Sequence, residues 1–263
     1  MAAIQEVDPI LLRHTSISCD EVIIELKRIA TRIGFSGTAF QSRRHKAFTR
    51  TVSLNYFAEQ FSIPVDYLPS VKQSEKSLFG VLMSGTNNYL EGSQDDLEFV
   101  LRSIKGACQG RSFYMTKEMV PGLGPLGTQP GDIATVLLGC NDPIMLRPTK
   151  DGSYKVVGHA YYDGFMDGEA LLGPLPNSFK AVWRFYRRRW AWAYLNQETG
   201  VFQGEDPRLG PLPFGWRLER LKNEEFRRRF INDETGEKSE TDPRLSSEAL
   251  RKRGIPLQVF DLV

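Results

Sequence analysis

What the sequence lacks narrows it first. Only three cysteines are present, Cys19, Cys108 and Cys140, and they are widely spaced. An odd, scattered set excludes a disulfide framework and points to a reducing compartment, so a cytoplasmic protein is expected. The three histidines, His14, His45 and His159, lie far apart, with no HxH, HExxH or CxxC spacing. No metal site is expected, because zinc or iron needs three or four converging ligands. There is no GxSxG nucleophile elbow and no GxGxxG following a strand, so a serine triad and a nicotinamide or flavin site have no support. The run Gly122 to Gly127, GLGPLG, lacks a P-loop lysine and hydroxyl pair and precedes no helical pattern, so its glycines read as turn geometry. No cofactor is expected. No apolar run reaches the roughly eighteen residues of a spanning helix. The opening MAAIQEVDPILLRH has neither the basic start nor the long apolar core of a secretory signal, and none is expected.

What is present describes a globular chain. Its 263 residues suit one large domain or two small ones, and 41% hydrophobic with 25% charged residues is the composition of a packed core. A chain of this length removes about 70% or more of its extended surface from water. The net charge of +2 is small but unevenly distributed. Residues 176–263 hold 17 of the 34 lysines and arginines against 13 of the 32 acids. Within them Lys180 to Trp190, KAVWRFYRRRW, carries five basic residues and no acid.

Periodicity predicts three helices in the first 109 residues. Residues 20–33 place Ile23, Leu26, Ile29, Ala30 and Ile33 on one face, with Asp20 as cap and Gly34 as stop. Residues 51–61 set Leu54, Phe57, Ala58 and Phe61 at helical spacing, and residues 94–106 do so with Leu97, Val100, Leu101 and Ile104. Residues 64–93 have no clear pattern. From Arg111 the texture changes. SFYMT, IATVLLG, PIMLRP and YKVVGHAYY read as short strands, separated by the turn compositions PGLGPLGTQPGD and KDGS.

After Pro176 the chain repeats. Tyr194-Leu-Asn-Gln-Glu-Thr-Gly200 precedes Asp206-Pro-Arg-Leu209, and Phe230-Ile-Asn-Asp-Glu-Thr-Gly236 precedes Asp242-Pro-Arg-Leu245, at a constant offset of 36 residues. Each unit reads as a hairpin turning at Thr-Gly. Two units are too few for a solenoid and are expected to pack onto the rest of the chain. Ser246 or Ser247 caps a last short helix ending at Gly254.

Residues 110–172 resemble the C-terminal, non-effector tail of fungal heterokaryon-incompatibility (HET) proteins. The resemblance rests on Gly110, Arg111, Phe113, Thr116, Gly122, Leu123, Gly124, Pro125, Gly131, Asp132, Pro143, Leu146, Arg147, Gly158, Tyr161, Gly164, Met166, Gly168, Glu169 and Ala170. The HET effector domain has no counterpart in these residues, so the resemblance implies the fold of a stand-alone tail and not cell-death signalling. His159 stands where the family pattern has Glu, and Asp163 where it has His. The two C-terminal hairpins are similar to WW domains, but Glu240 and Gly204 stand where such a domain has its ligand-stacking Trp, so polyproline binding is not expected. The fold expected is α+β. A mainly helical region (1–109) packs on a small antiparallel sheet or partly closed barrel (110–175), followed by two WW-like hairpin repeats and a terminal helix (176–263), all one compact unit.

Chemistry concentrates in His159 to Glu169, which holds an imidazole, two phenols and three carboxylates. On one strand, His159, Tyr161 and Asp163 would share a face, with Tyr162 on the other. These three are the candidate acid/base group. Tyr114, Tyr162, Phe165, Met166, Trp183 and Trp190 are the candidate substrate-binding surface. The alternative is structural: Asp167 and Glu169 bond turn amides while the tyrosines pack. The aromatic and arginine tract at 180–190 suits stacking plus charge, but its aromatics at strand spacing read as core, and nucleic acid is not expected as a partner.

Two functions follow. In the first, an apolar small molecule binds and the chain acts as a cofactor-free isomerase or cyclase of the Diels–Alder type in fungal specialised metabolism, a reaction class that needs a shaped pocket and leaves no motif. In the second, the chain is a protein-interaction or regulatory module related to heterokaryon-incompatibility proteins, docking a protein partner through aromatic and arginine residues.

Overall fold

The computed structural model describes residues 2–9, 18–32, 34, 42–55, 76, 78–80, 82, 94–186, 189–220 and 228–263. By contact they form two compact units. The first takes residues 1–167, 181–193 and 261–263, and the second residues 168–180 and 194–260.

Three helices of the first unit carry amphipathic stripes. Helix α1 (Cys19–Arg32) buries Val22, Ile23, Leu26, Ile29 and Ala30. Its cap is Ser18, not Asp20. The Glu21 amide donates to Ser18 Oγ at 3.3 Å, and the Ser18 amide donates back to Glu21 Oε2 at 2.7 Å, a capping box. Gly34, at φ +68°, follows the helix. Helix α2 (Arg43–Val52) was not expected and overlaps only the first two residues of the helix expected at 51–61. Ser42 sets its start by accepting from the His45 amide at 3.2 Å, and His45, Phe48, Thr49 and Val52 form its buried stripe. Leu54 and Asn55 take left-handed φ values of 50° and 60°, which end the helical path, and residues 56–61 lie outside the described residues. Helix α3 (Gln94–Cys108) follows the expected register.

A strand unforeseen in the N-terminal region, β1 (Ala2–Pro9), runs through the middle of the sheet. Around it lie β2 (Arg111–Thr116), β3 (Pro121–Pro125), β4 (Ile133–Thr135), β5 (Ile144–Pro148), β6 (Tyr154–His159) and β7 (Tyr161–Tyr162). The order is β6-β5-β4-β1-β2-β3-β7, every pairing antiparallel. The two outermost strands, β6 and β7, are successive stretches of chain joined at Ala160. The sheet therefore curls until its edges meet, although no ladder joins β6 to β7 among the described residues. At the start of β6 the chain's last residues add in parallel: the Tyr154 amide donates to Asp261 O and the Val263 amide to Tyr154 O.

Strand β3 corrects another expectation, since PGLGP is strand and not turn. Its glycines answer to close approach. A Cβ on Gly122 would stand 2.2 Å from Tyr114 Cζ and 2.5 Å from Tyr161 O, and one on Gly124 would stand 2.4 Å from Thr128 Oγ1.

Side chains alternate across this curled sheet. Phe113, Met115, Leu123 and Tyr161 face the helices and join Leu26, Ile29, Phe48, Val52, Leu101 and Ile104 in the larger core. Tyr114, Ile4, Ala134, Met145, Ala160 and Tyr162 form a second, smaller core. Each fully buried Leu, Ile or Phe contributes about 1.5–3 kcal/mol over exposure. The family-matching residues Asp132 and Arg147 hold the β4–β5 side: Arg147 Nε and Nη2 donate to the Asp132 carboxylate at 2.8 and 2.9 Å.

Each C-terminal repeat contains the expected hairpin turning at Thr-Gly, and one further strand ahead of it completes a three-stranded sheet. Strands β8 (Phe179–Tyr186), β9 (Arg189–Asn196) and β10 (Phe202–Gln203) form one, and β11 (Trp216–Arg220), β12 (Arg228–Asn232) and β13 (Lys238–Ser239) the other. Their turns are superposable in chemistry. Asn196 Oδ1 accepts from the amides of Glu198 and Thr199, and Asn232 Oδ1 from those of Glu234 and Thr235. Short helix α4 (Glu169–Leu172) precedes the repeats, and α5 (Ser247–Lys252), capped by Ser246, follows them.

Candidate functional site

The segment from His159 to Glu169 is divided by the bend at Ala160. His159 ends β6 opposite Ile144, is exposed, and lies 2.9 Å from Arg111 Nη2 through its Nε2. Tyr161 and Asp163 are on the far side of the bend and are buried. The Tyr161 hydroxyl donates to Asp163 Oδ1 at 3.2 Å, and Arg50 of α2 donates to both carboxylate oxygens at 2.7 Å. The structure thus brings Tyr161 and Asp163 together and leaves His159 with a different partner.

The expected binding residues also separate. Tyr114 is buried in the smaller core, and its hydroxyl donates to Tyr161 O at 2.9 Å. Burial holds its phenol protonated far above the ordinary range. Tyr162 stacks on Phe165 with ring centroids 4.3 Å apart, and burial raises its phenol as well. Met166 is half-buried against the helical core. Trp183 and Trp190 lie on β8 and β9, with side chains outside the described residues. Glu169 opens α4, and Lys180, the first residue of the basic tract, has its pKa lowered by burial. Among the described residues no three His, Cys, Asp or Glu side chains are grouped as a metal would require. None of the helices among them is long and apolar enough to cross a membrane.

One cleft of this unit combines space with charge. Its volume is about 490 Å³, and α2, the β2–β3 turn and the turn after β7 form its walls. Phe48, Met115, Val120, Pro121 and Phe165 supply apolar surface. Arg43, Arg44 and Arg50 face Glu118 and Asp163. With Arg50 and Asp163 engaged to each other, Arg43 and Arg44 give the rim an excess of positive charge. Met119, at the rim, is 53% exposed and holds a left-handed φ of 62°. Of the residues expected at a site, Asp163 and Phe165 line this cleft, whereas His159 and Tyr161 do not. Arg43, Arg44, Arg50, Glu118 and Met119 went unanticipated. The basic run Arg43-Arg44-His45-Lys46 was the one signal in the sequence, since a helix start ordinarily favours acids.

Residues 89–174 match the Het-6 beta-barrel domain. Over 64 residues the chain is 41% identical to "Heterokaryon incompatibility protein 6, OR allele" of Neurospora crassa, a stretch that covers 23% of this chain and 9% of that protein. The chain thus spans only a small part of the curated relative it matches. Through this region it is related to the heterokaryon-incompatibility proteins.

Proposed function

Taking residues 89–174 as a domain of the Het-6 type, we propose that the chain is a protein-interaction module related to heterokaryon-incompatibility proteins, one that docks a partner and catalyses nothing. The observation that carries this reading is the fate of the acid/base candidates. Asp163 accepts two hydrogen bonds from Arg50 and one from Tyr161, and His159 is engaged by Arg111. Each group has a structural task, and the two halves of the acid/base group face different neighbours. A docking surface needs no such group. Exposed arginine beside aromatic and methionine side chains is the composition enriched at interfaces, and it is found at the cleft.

The cyclase reading has one supporting observation, the cleft volume, which falls in the range of small-molecule sites. It draws no support from His159 and Tyr161, which the cleft does not include. The test is native mass spectrometry of the full chain recovered from fungal extract under mild cross-linking. A stoichiometric protein partner, retained after a second purification, is expected. An apolar metabolite bound at one per chain with no protein partner would overturn the proposal.

A further inference from the structure

The cleft has a composition that specifies its occupant more closely than "a protein". Its floor is apolar: Phe48 is buried, Phe165 is half-buried against Tyr162, and Met115, Val120 and Pro121 complete it. Two methionines, Met115 and Met119, can adjust to an inserted side chain, since thioethers fill irregular space readily. Above this floor stand Arg43 and Arg44, consecutive, exposed, and without an ion-pair partner among the described residues. They occupy the first turn of α2, which has no acid. The third arginine is already neutralised, because Arg50 holds Asp163 in a two-point pair. An incoming anion therefore meets two uncommitted guanidiniums and one opposing carboxylate, Glu118.

We infer that this cleft binds an extended acidic peptide segment of a partner protein, with one aromatic or aliphatic side chain seated against Phe165 and Phe48 and neighbouring carboxylates bonded to Arg43 and Arg44. The inference rests on the interaction reading above and adds the chemistry of the partner. Charge complementarity selects the sign of the peptide, and the apolar floor requires an anchor. Arginine is suited to the task, because its planar fork takes a carboxylate through two hydrogen bonds. Successive residues of an extended strand advance about 3.3–3.6 Å, so a carboxylate beside the anchor remains close to it.

The experiment uses the full chain and three fluorescein-labelled hexapeptides read by anisotropy. The probe is Asp-Glu-Phe-Leu-Glu-Asp. One control replaces its four acids by lysine, and the other replaces Phe-Leu by Ala-Ala. Saturable binding of the probe is expected, at least tenfold tighter than either control and weakening as salt rises from 50 to 300 mM. R43E/R44E is expected to weaken it at least tenfold without lowering the melting temperature, and Phe165→Ala about fivefold, measured well below its own melting temperature, which the lost stacking on Tyr162 lowers. A benzoylphenylalanine version of the probe is expected to cross-link to Met115 or Met119. The inference is overturned if the probe binds no better than the lysine control, or if R43E/R44E leaves its affinity unchanged. It is also overturned if sodium decanoate occupies the cleft and the peptide cannot displace it, which would make this a small-molecule site. A partner still captured from extract by R43E/R44E would remove the cleft inference and leave the interaction reading standing. The absence of any partner for the unaltered chain would remove the interaction reading itself.

Discussion

Arg50 Nε and Nη2 each lie 2.7 Å from an oxygen of Asp163, a two-point pair that ties helix α2 to the turn after β7 across 113 residues of sequence. Asp163 is 8% exposed, and its remaining neighbour is the Tyr161 hydroxyl. Removing the guanidinium leaves a mostly buried carboxylate short of donors, which costs about 1–3 kcal/mol and more for a charged group. Arg50→Ala is therefore expected to lose about 2–3 kcal/mol in urea titration. Asp163→Asn retains an acceptor and is expected to lose less, and the double variant to lose less than the sum of the two. Additive losses would show that the pair contributes nothing as a pair.

The glycines of β3 make a second, sharper test. A methyl group at Gly122 meets the Tyr114 ring and also the backbone oxygen of Tyr161, and the backbone has nowhere to go. Gly122→Ala is expected to cost about 2–3 kcal/mol or more, as overpacking does, and Tyr114→Phe is expected not to rescue it, because the ring and the carbonyl remain. Gly124→Ala differs in kind. Its nearest obstacle is Thr128 Oγ1, and the next, Met145 Cε at 3.2 Å, is a flexible tip. Thr128→Ala is expected to recover part of that loss. Thermal melts of the four variants decide between close approach and turn geometry as the reason for these glycines.

The two C-terminal sheets close on a shared device. Arg208 pairs with Asp206 and donates through Nη1 to Gly173 O at 2.6 Å, and Arg244 pairs with Asp242 and donates to Gly210 O at 2.6 Å. Both carbonyls belong to Gly-Pro-Leu-Pro tetrapeptides that precede the sheets, Gly173 to Pro176 and Gly210 to Pro213. Each arginine is at least 95% buried, so the fork must serve carboxylate and carbonyl together. Lysine cannot reproduce that geometry. Arg208→Lys and Arg244→Lys are expected to lower stability by similar amounts, about 2 kcal/mol each, measured by chemical denaturation. Asp206 is subject to opposing effects, burial raising its pKa and the Arg208 bonds outweighing it, so its carboxyl titrates below the usual range. Its contribution is present above the unfolded-state carboxylate pKa and is lost as pH falls through the lower folded value.

Much of this architecture was legible because local signals coincide with it. In α1 and α3 the 3.6 period marks the face that is buried, and both helices fall within two residues of where that pattern places them. The 36-residue repeat is likewise visible as sequence, and its Asn and Asp-Pro-Arg positions recur with the same hydrogen bonds. Three things were hidden. Strand β1 has few β-branched residues and owes its conformation to neighbours on both sides, β2 and β4. Strand β3 looks like a turn because Tyr114 and Thr128 forbid side chains at Gly122 and Gly124, a constraint no local pattern expresses. The cleft joins α2 to turns some seventy and over a hundred residues away, so its arginines and its floor never appear together in the sequence. The shared face expected of His159, Tyr161 and Asp163 assumes one continuous strand, whereas Ala160 separates β6 from β7 and the alternation restarts after it.

His45 supplies the last prediction, on pH. Its side chain is fully buried on α2, edge-on to Phe79 at 5.1 Å, with Thr49 Oγ1 3.5 Å from Nε2. Burial, aided by the charge of Lys46, lowers its pKa from 6.5 to about 4. The folded chain therefore keeps a neutral imidazole where the unfolded chain already binds a proton. Below pH 6.5 the unfolded state holds more protons, so stability falls as pH drops, and the loss levels off near pH 4. The full effect is on the order of 3–3.5 kcal/mol, the shift from 6.5 to about 4 counting about 1.4 kcal/mol per pKa unit. Carboxylates such as Asp206 also lose stabilisation in acid, but at lower pH, which separates the two contributions. His45→Phe preserves an aromatic ring beside Phe79 and removes the titration. Its stability is expected to stay nearly level between pH 7 and 5 where the parent chain declines. Equal slopes for the two proteins over that interval would mean that His45 takes up its proton in the folded state as readily as in the unfolded one.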